Sequence, residues 1–204
     1  IYGNPVRALP EASTLERPKE FPEGKKCVFI TGGSQGALGI NRKIEESIKE
    51  IIADTSLSVV WQVGSKHVES FQERLGNLPN VSIVGFVNNV YAYFQYADLI
   101  VSRAGASALA EILAFGKPSV LLPFPHATAN HQEKNARVVE KAGAALVELD
   151  DEPNQLWAKI SDLLNNDTKR GQMAEQAKNL GMPDAADRIA KAILKMEKYY
   201  AKNA

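Results

Sequence analysis

The sequence contains a single cysteine, Cys27, at the start of an apolar run. One cysteine cannot form a disulfide within the chain, so Cys27 is interpreted as a small buried hydrophobic residue in a reducing compartment. No charge of one sign dominates, because Lys plus Arg and Asp plus Glu number 24 each among the 204 residues. This balance excludes a general nucleic-acid binder, which would carry an excess of basic residues. Any anion site must therefore be local.

Long apolar runs and the common catalytic signatures are missing as well. No run reaches the ~18 apolar residues that a membrane span needs. The chain has no Gly-Lys-Ser/Thr of a P-loop, no GxGxxG, no nucleophile elbow and no cluster at metal-ligand spacing. It also lacks Asp-x-Asp, the metal-nucleotide signature of one large class of sugar transferases. The sequence therefore implies neither a metal nor a cofactor.

Short apolar runs alternate with helical patterns along most of the chain. Strands are predicted at 27–30, 57–63, 81–84, 99–101, 119–122 and 145–147. Helices are predicted at 40–51, 67–75, 91–96, 107–115, 130–141, 154–164, 168–180 and from 184 to about 201. This alternation predicts an α/β fold, a Rossmann-like parallel sheet of about six strands with helices on both faces. Its ligand site is expected beyond the carboxyl ends of the strands, where the glycine-rich and polar loops lie.

The two ends of the chain differ from this regular part, which is predicted to be a ligand-binding domain over residues 26–183. Residues 1–25 carry four prolines among polar residues and are predicted to be an interdomain or linker segment. Residues 184–204 are predicted to form a terminal helix with an apolar stripe made of Ile189, Ile193, Met196 and Tyr200. The chain does not begin with Met, and we expect it to be part of a longer protein.

The stretch 99–135 has the pattern of a ligand cradle. After an apolar strand, the small residues 104–106 allow a ligand to approach the backbone closely. A helix predicted from Ser107 turns its free N–H groups and positive dipole end toward an anion. Glu111 follows about one turn, or ~5.4 Å, further along the helix. Its carboxylate is interpreted either as an acceptor for paired ligand hydroxyls or as an ordinary solvated glutamate.

Two further loops carry polar groups that suit a phosphorylated sugar. The loop 32–36, GGSQG, offers backbone N–H groups, the Ser34 hydroxyl and the Gln35 amide to phosphate oxygens, or else forms only a tight turn. His131 and Gln132 open a helix after a proline-rich loop. They are either ordinary surface residues of a first turn or partners for sugar hydroxyls. From each loop alone, both interpretations stay open.

Taken together, the loops resemble the MurG family of bacterial glycosyltransferases. The motifs that carry the resemblance are, in order, GNPVR, GGSQG with Asn41 downstream, GFVNNV, SRAGASALAE, PFPHATANHQEKNA and the ending GMPDAADRIAKAI. Members of this family transfer N-acetylglucosamine from UDP-N-acetylglucosamine to the lipid-linked muramyl-pentapeptide of peptidoglycan synthesis. They have two Rossmann-like domains of the GT-B type. The resemblance covers essentially the whole chain, which is identified as the C-terminal, donor-binding half.

The resemblance implies which residues hold the diphosphate of the donor. Ser34 would contact it, with Gln35 nearby and Arg7 lining the cleft. The backbone amides of Ala106 and Ser107 would bind a phosphate oxygen. No metal or cofactor is implied at this position.

The resemblance also implies contacts for the rest of the donor. Phe86 and Val87 would hold the uracil, chiefly through the backbone of Val87, and Glu111 would accept the ribose hydroxyls. His131 and Gln132 would bind the hydroxyls of N-acetylglucosamine. Some members of the family have glutamine at the position of His131, so Gln132 is the better matched of the two.

The reaction implied by the resemblance is a single inverting displacement at the anomeric carbon. The general base, the recognition of the lipid-linked acceptor and the contact with the cytoplasmic face of the bacterial plasma membrane are expected mainly in an N-terminal half outside this chain. The terminal helix is expected to cross back to that half, and the chain alone is expected to be inactive. The alternatives are a GT-B transferase with another lipid acceptor, a non-catalytic UDP-sugar-binding subunit and a UDP-sugar epimerase.

Overall fold

The computed structural model describes the backbone of residues 3–202 and the side chains of residues 3–196. The strands of this part are β1 (Lys26–Thr31), β2 (Leu57–Gln62), β3 (Val81–Val84), β4 (Leu99–Ser102), β5 (Ser119–Leu121) and β6 (Ala145–Val147). They form one sheet in the order β3-β2-β1-β4-β5-β6, and neighbouring strands pair in parallel. The predicted Rossmann-like parallel sheet is confirmed.

Helices cover both faces of this sheet. They are α1 (Leu38–Glu46), α2 (Ile48–Ala53), α3 (Val68–Leu75), α4 (Val90–Tyr96), α5 (Ala106–Ala114), α6 (His131–Lys141), α7 (Leu156–Leu164), α8 (Asp167–Leu180) and α9 (Ala185–Lys202). Successive residues of a strand point to opposite faces. Val28 and Ile30 accordingly join the apolar cluster under α1 and α7, whereas Cys27 and Phe29 join the cluster under α4. Cys27 is buried, as the sequence predicts.

Most element boundaries lie within two residues of their predicted positions, and the largest difference is in the first helix. The helix predicted over 40–51 is two helices, which meet at Ser47. The Ser47 hydroxyl donates to the Lys43 carbonyl at 3.3 Å. Such a local hydrogen bond competes with the helical pattern and favours a break. Periodicity alone did not reveal it, because the apolar spacing continues across both helices.

The segment before β1 contains no strand among its described residues, and it packs against the domain. Leu15 and Phe21 are buried in the apolar cluster under α4. The Tyr96 hydroxyl donates to the Leu15 carbonyl at 2.8 Å, and the Tyr93 hydroxyl donates to Glu20 Oε2 at 3.2 Å. The segment is therefore anchored to one face of the sheet, and its interdomain role stays a prediction.

The terminal helix α9 exposes much of its apolar stripe. Ile193 and Met196 are 60% and 58% exposed, whereas Ile189 is half-buried. The side chain of Tyr200 lies outside the described residues. Crossing of this helix to another domain stays a prediction. None of the described helices combines the length and apolar content needed to cross a bilayer.

A buried ion cluster ties the segment after β6 to two helices. Glu148 lies 2.8 Å from Nζ of Lys43 on α1 and 2.7 Å from Nζ of Lys159 on α7. The Gln155 backbone N–H also donates to Glu148 at 3.0 Å. Burial alone would raise the pKa of Glu148, but the hydrogen bonds from Lys159, Lys43 and Gln155 outweigh it and hold this pKa below its ordinary value of 4.5.

We predict that Glu148→Gln destabilises the fold by about 3–5 kcal/mol at pH 7, because it leaves the buried Lys43 without a counter-charge. The pKa of Glu148 is lowered in the folded state, so the carboxylate stabilises the fold above pH 4.5 and loses this effect as the pH falls through the lower, folded-state pKa. Urea denaturation of both proteins at pH 7 and at a series of lower pH values measures the cost of the substitution and its dependence on pH.

The control for this prediction is Glu45→Gln, which breaks a surface pair with Arg74. We expect it to change the free energy of unfolding by less than about 1 kcal/mol. Equal costs for the two variants, or a difference between the unsubstituted chain and Glu148→Gln that does not shrink in acid, would contradict the prediction.

Candidate functional site

The candidate site lies where the strand order reverses. From β1 the chain proceeds to β2 on one side, whereas β4 pairs with β1 on the other side. Loops at the carboxyl ends of two such strands turn away from each other and leave a crevice between them. The loop 32–36 follows β1 and the turn 103–105 follows β4, so both predicted phosphate-binding segments meet this crevice.

The loop after β1 is held firmly against the end of β2. Gly33 accepts a hydrogen bond from the Gln62 side chain at 2.8 Å, and its N–H donates to Thr31 Oγ1 at 3.0 Å. Gly36 has φ of +74°, and a Cβ there would lie 2.0 Å from the Val63 carbonyl oxygen. Ser34 and Gln35, at the tip of this loop, are exposed. Their side chains are therefore accessible, and their role toward phosphate stays a prediction.

The turn after β4 leads into an uncapped helix start. Helix α5 begins at Ala106, one residue earlier than predicted, and no side chain caps its first turn from Gly105. Ala106 and Ser107 are both exposed. Free N–H groups at such a helix end attract an anion. Since the first turn of α5 has no cap of its own, it is suited to a negatively charged ligand.

The start of α6 lies beside this turn. Gln132 Oε1 accepts a hydrogen bond from the Phe124 N–H at 3.0 Å. Its Nε2 lies 4.0 Å from the position that a Cβ on Gly105 would take. His131 is exposed, and its Nδ1 lies 2.8 Å from the Thr128 carbonyl oxygen. Gln132 therefore turns its amide N–H₂ toward the start of α5, whereas His131 is engaged within its own turn.

Glu111 contacts Arg7, which the sequence analysis placed in the site, and Tyr91, which it did not. Tyr91 donates from its hydroxyl to Glu111 Oε1 at 2.9 Å, and Arg7 Nη2 lies 3.5 Å from the same oxygen. The Arg7 guanidinium also lies 4.6 Å from the centroid of the Tyr91 ring. Glu111 is 21% exposed and Arg7 69% exposed. The structure thus brings Arg7 and Glu111 together although they are 104 positions apart in the sequence.

Phe86 and Val87 follow β3 and differ in exposure. Phe86 is 54% exposed, whereas Val87 is 6% exposed and packs in the apolar cluster under α4. A ligand could not reach the Val87 side chain without disturbing that cluster. A ligand contact at Val87 would therefore use its backbone, and the predicted contact with a nucleobase stays a prediction.

A cavity of about 1190 Å³ lies beside the predicted nucleotide residues rather than on them. Its walls include the backbone of Gly32 and Gly36, the Phe124 ring and Asp150. Of the ten predicted site residues, Gln132 lines this cavity, and Ala106 lines a smaller one of about 270 Å³.

The sequence did not reveal the ion pair between Arg103 and Asp150, which lies at one wall of the crevice. Arg103 Nη1 and Nη2 each lie 2.9 Å from an Asp150 carboxylate oxygen. Arg103 also donates to the Leu122 and Pro123 carbonyls, both at 3.1 Å. Arg103 belongs to a recognised motif, but no local signal marks Asp150 as its partner. Tyr91 lies at the start of the helix predicted over 91–96, and nothing in the sequence marks it as the partner of Glu111.

We predict that Gly36→Ala destabilises the fold by about 3 kcal/mol, because its Cβ would collide with the Val63 carbonyl and Gly36 has a positive φ. Gly33→Ala is the matched control, since Gly33 also has a positive φ but faces open space. Its cost should be about 1 kcal/mol. Urea denaturation of both variants tests this, and equal costs would show that the loop is not packed as described.

Residues 27–189 match the family described as the glycosyltransferase family 28 C-terminal domain. The chain is 36% identical over 207 residues to a Salinibacter ruber protein named UDP-N-acetylglucosamine--N-acetylmuramyl-(pentapeptide) pyrophosphoryl-undecaprenol N-acetylglucosamine transferase, covering 100% of this chain and 56% of the relative. A protein of the same name from Listeria monocytogenes serotype 4a is 38% identical over 180 residues, 86% of this chain and 49% of the relative.

Two solved structures share the fold. Acinetobacter baumannii MurG matches with a TM-score of 0.76 and 24% identity, over 90% of this chain and 55% of that chain. The S. aureus MnaA–UDP co-structure matches with a TM-score of 0.65 and 20% identity, over 88% of this chain and 46% of that chain. At these identities the likeness shows the fold alone. The chain spans about half the length of the curated relatives that it matches.

Proposed function

The chain belongs to the family of glycosyltransferase family 28 C-terminal domains, and on that basis we propose that it binds UDP-N-acetylglucosamine as the donor-binding half of a glycosyltransferase. The proposed reaction moves N-acetylglucosamine to the lipid-linked muramyl-pentapeptide of peptidoglycan synthesis, as the names of its curated relatives describe for those proteins. The observation that carries the proposal is the uncapped start of α5 with Glu111 one turn further along.

The diphosphate of the donor is proposed to lie at the start of α5. The amides of Ala106 and Ser107 would donate to one phosphate oxygen, in the field of the helix dipole. Ser34 and Gln35 would approach from the loop after β1, which is exposed at this point. Arg7, whose side chain is 69% exposed, would add a positive charge from the segment before β1.

The nucleoside and the sugar are proposed to extend to opposite sides of the diphosphate. The uracil would lie by the Phe86 side chain and the Val87 backbone, and Glu111 would accept the ribose hydroxyls. Gln132 would donate to the sugar through its amide N–H₂, because its Oε1 is already bonded to the Phe124 N–H. His131 is the weaker candidate, since its Nδ1 is engaged by the Thr128 carbonyl.

The proposed chemistry is a single inverting displacement. An acceptor hydroxyl attacks the anomeric carbon, the bond from that carbon to the diphosphate oxygen breaks, and negative charge builds on the departing UDP. Backbone N–H groups at the start of α5 would stabilise this charge in the transition state. The base that takes the proton of the acceptor hydroxyl is proposed to lie in a further half of the protein. The chain alone should therefore bind the donor without transferring it.

The acceptor and the membrane are proposed to be met mainly by that further half. The acceptor would be lipid-linked, so the whole enzyme would act as a peripheral protein at the cytoplasmic face of the bacterial plasma membrane. The proposed transfer needs no nucleic acid and no cofactor.

Binding of nucleotides to the 204-residue chain tests the proposed function. In calorimetric titrations we expect UDP-N-acetylglucosamine and UDP to bind, and uridine to bind far more weakly because it lacks the phosphates. ADP serves as the control for base selection. No heat and no NMR shift changes at millimolar UDP would mean that the crevice is not a UDP-sugar site.

We predict that Glu111→Ala weakens UDP binding by about 10- to 100-fold, the range expected for loss of hydrogen bonds to a charged group. Alanine is a strong helix former, so α5 should persist. The control is Glu175→Ala, which removes an exposed carboxylate of α8 and should leave the affinity unchanged. An unchanged UDP affinity in Glu111→Ala would show that Glu111 does not bind the ribose hydroxyls.

A further inference from the structure

Tyr91 joins three separate parts of the chain. It lies on α4, its hydroxyl donates to Glu111 on α5 at 2.9 Å, and its ring lies under the guanidinium of Arg7, which precedes β1. A cation over an aromatic face is attracted by the ring quadrupole. Tyr91 is thus the point where the segment before β1, α4 and α5 meet beside the proposed ribose position.

The orientation of the Tyr91 ring is fixed by its neighbours. The side chain is buried, with ring centroids 5.0 Å from Phe115 and 6.3 Å from Phe94. Burial and then the hydrogen bond with Glu111 raise the pKa of Tyr91. The phenol therefore keeps its proton at neutral pH and acts toward the carboxylate as a donor.

The contacts of Glu111 are concentrated on one carboxylate oxygen. Both Tyr91 and Arg7 approach Oε1, and within the described part of the chain no donor reaches Oε2. A glutamate side chain has much rotamer freedom to lose when it binds a ligand. Fixing it before the ligand arrives reduces that cost, which is the advantage of preorganisation. A phenylalanine at position 91 would keep the packing but could not hold the carboxylate.

We propose that Tyr91 is the positioning residue that holds Glu111 ready for the ribose hydroxyls of the donor nucleotide. This inference rests on the proposed function, because it takes the ligand of Glu111 to be the ribose of UDP. Tyr91 itself does not touch the nucleotide. It acts through the carboxylate by leaving Oε2 free and correctly oriented.

The test compares the affinities of the 204-residue chain for UDP and for 2′,3′-dideoxy-UDP, which lacks both ribose hydroxyls. In the unsubstituted chain we expect the dideoxy nucleotide to bind about tenfold more weakly or worse, as loss of hydrogen bonds to a carboxylate implies. The quantity of interest is the ratio of the dissociation constant for 2′,3′-dideoxy-UDP to that for UDP. In Tyr91→Phe we expect this ratio to fall to about two- to threefold, because a mobile carboxylate recognises the hydroxyls less well. Calorimetry measures both affinities.

The matched control is Tyr93→Phe on the same helix, whose hydroxyl donates to Glu20 instead of Glu111. It should keep the ratio of the unsubstituted chain. The ratio separates positioning from general damage, since a disturbed fold weakens both nucleotides equally and leaves their ratio unchanged. Equal weakening of both nucleotides by Tyr91→Phe therefore overturns the positioning role.

Two further outcomes distinguish this inference from the proposed function. A lowered ratio in Glu111→Ala together with an unchanged ratio in Tyr91→Phe overturns the role of Tyr91 and leaves the proposed function standing. If the unsubstituted chain does not bind UDP at all, the proposed function is wrong, and the role proposed for Tyr91 is then wrong as well.

Discussion

The parallel pairing of β1 with β4 is the constraint on which the candidate site depends. Its register runs from Val28 opposite Leu99 to Thr31 opposite Ser102. This register sets the GGSQG loop beside the start of α5 and creates the crevice between them. A slip by one residue would turn each strand side chain to the other face of the sheet. By fixing this register, the apolar clusters on the two faces maintain the geometry of the site as well as stabilise the fold.

Ion pairs formed by the segment after β6 also maintain the geometry of the site. Glu148 binds Lys43 and Lys159, and two residues later Asp150 binds Arg103. These ion pairs connect β6 to α1, to α7 and to the turn after β4. Arg103 also holds the carbonyls of the loop that carries Phe124, and the Phe124 N–H orients Gln132. A charge pair outside the predicted site thus determines which atom of Gln132 is offered to a ligand.

The sequence predicted the fold well because strand and helix signals are local. Apolar runs and their periodicity placed the strands, and the parallel arrangement followed from their alternation with helices, whereas the order of the strands in the sheet was not predicted. The break at Ser47 was missed because it arises from one side-chain hydrogen bond and leaves the apolar spacing intact. The roles of the site residues came from a resemblance between motifs. Their partners, Tyr91 for Glu111 and Asp150 for Arg103, depend on long-range packing that no local pattern encodes.

The proposed function explains why the cavity of about 1190 Å³ is separate from Glu111. Glu111 lies one turn beyond the start of α5, whereas Gln132 lies beside Gly105 at that start and also lines the cavity of about 1190 Å³. A diphosphate at the start of α5 would thus have the nucleoside on the Glu111 side and the sugar toward the cavity. The bond to be broken would face open space. An acceptor has to reach that bond, so a wide cavity at the sugar end is what transfer to a bulky, lipid-linked molecule requires.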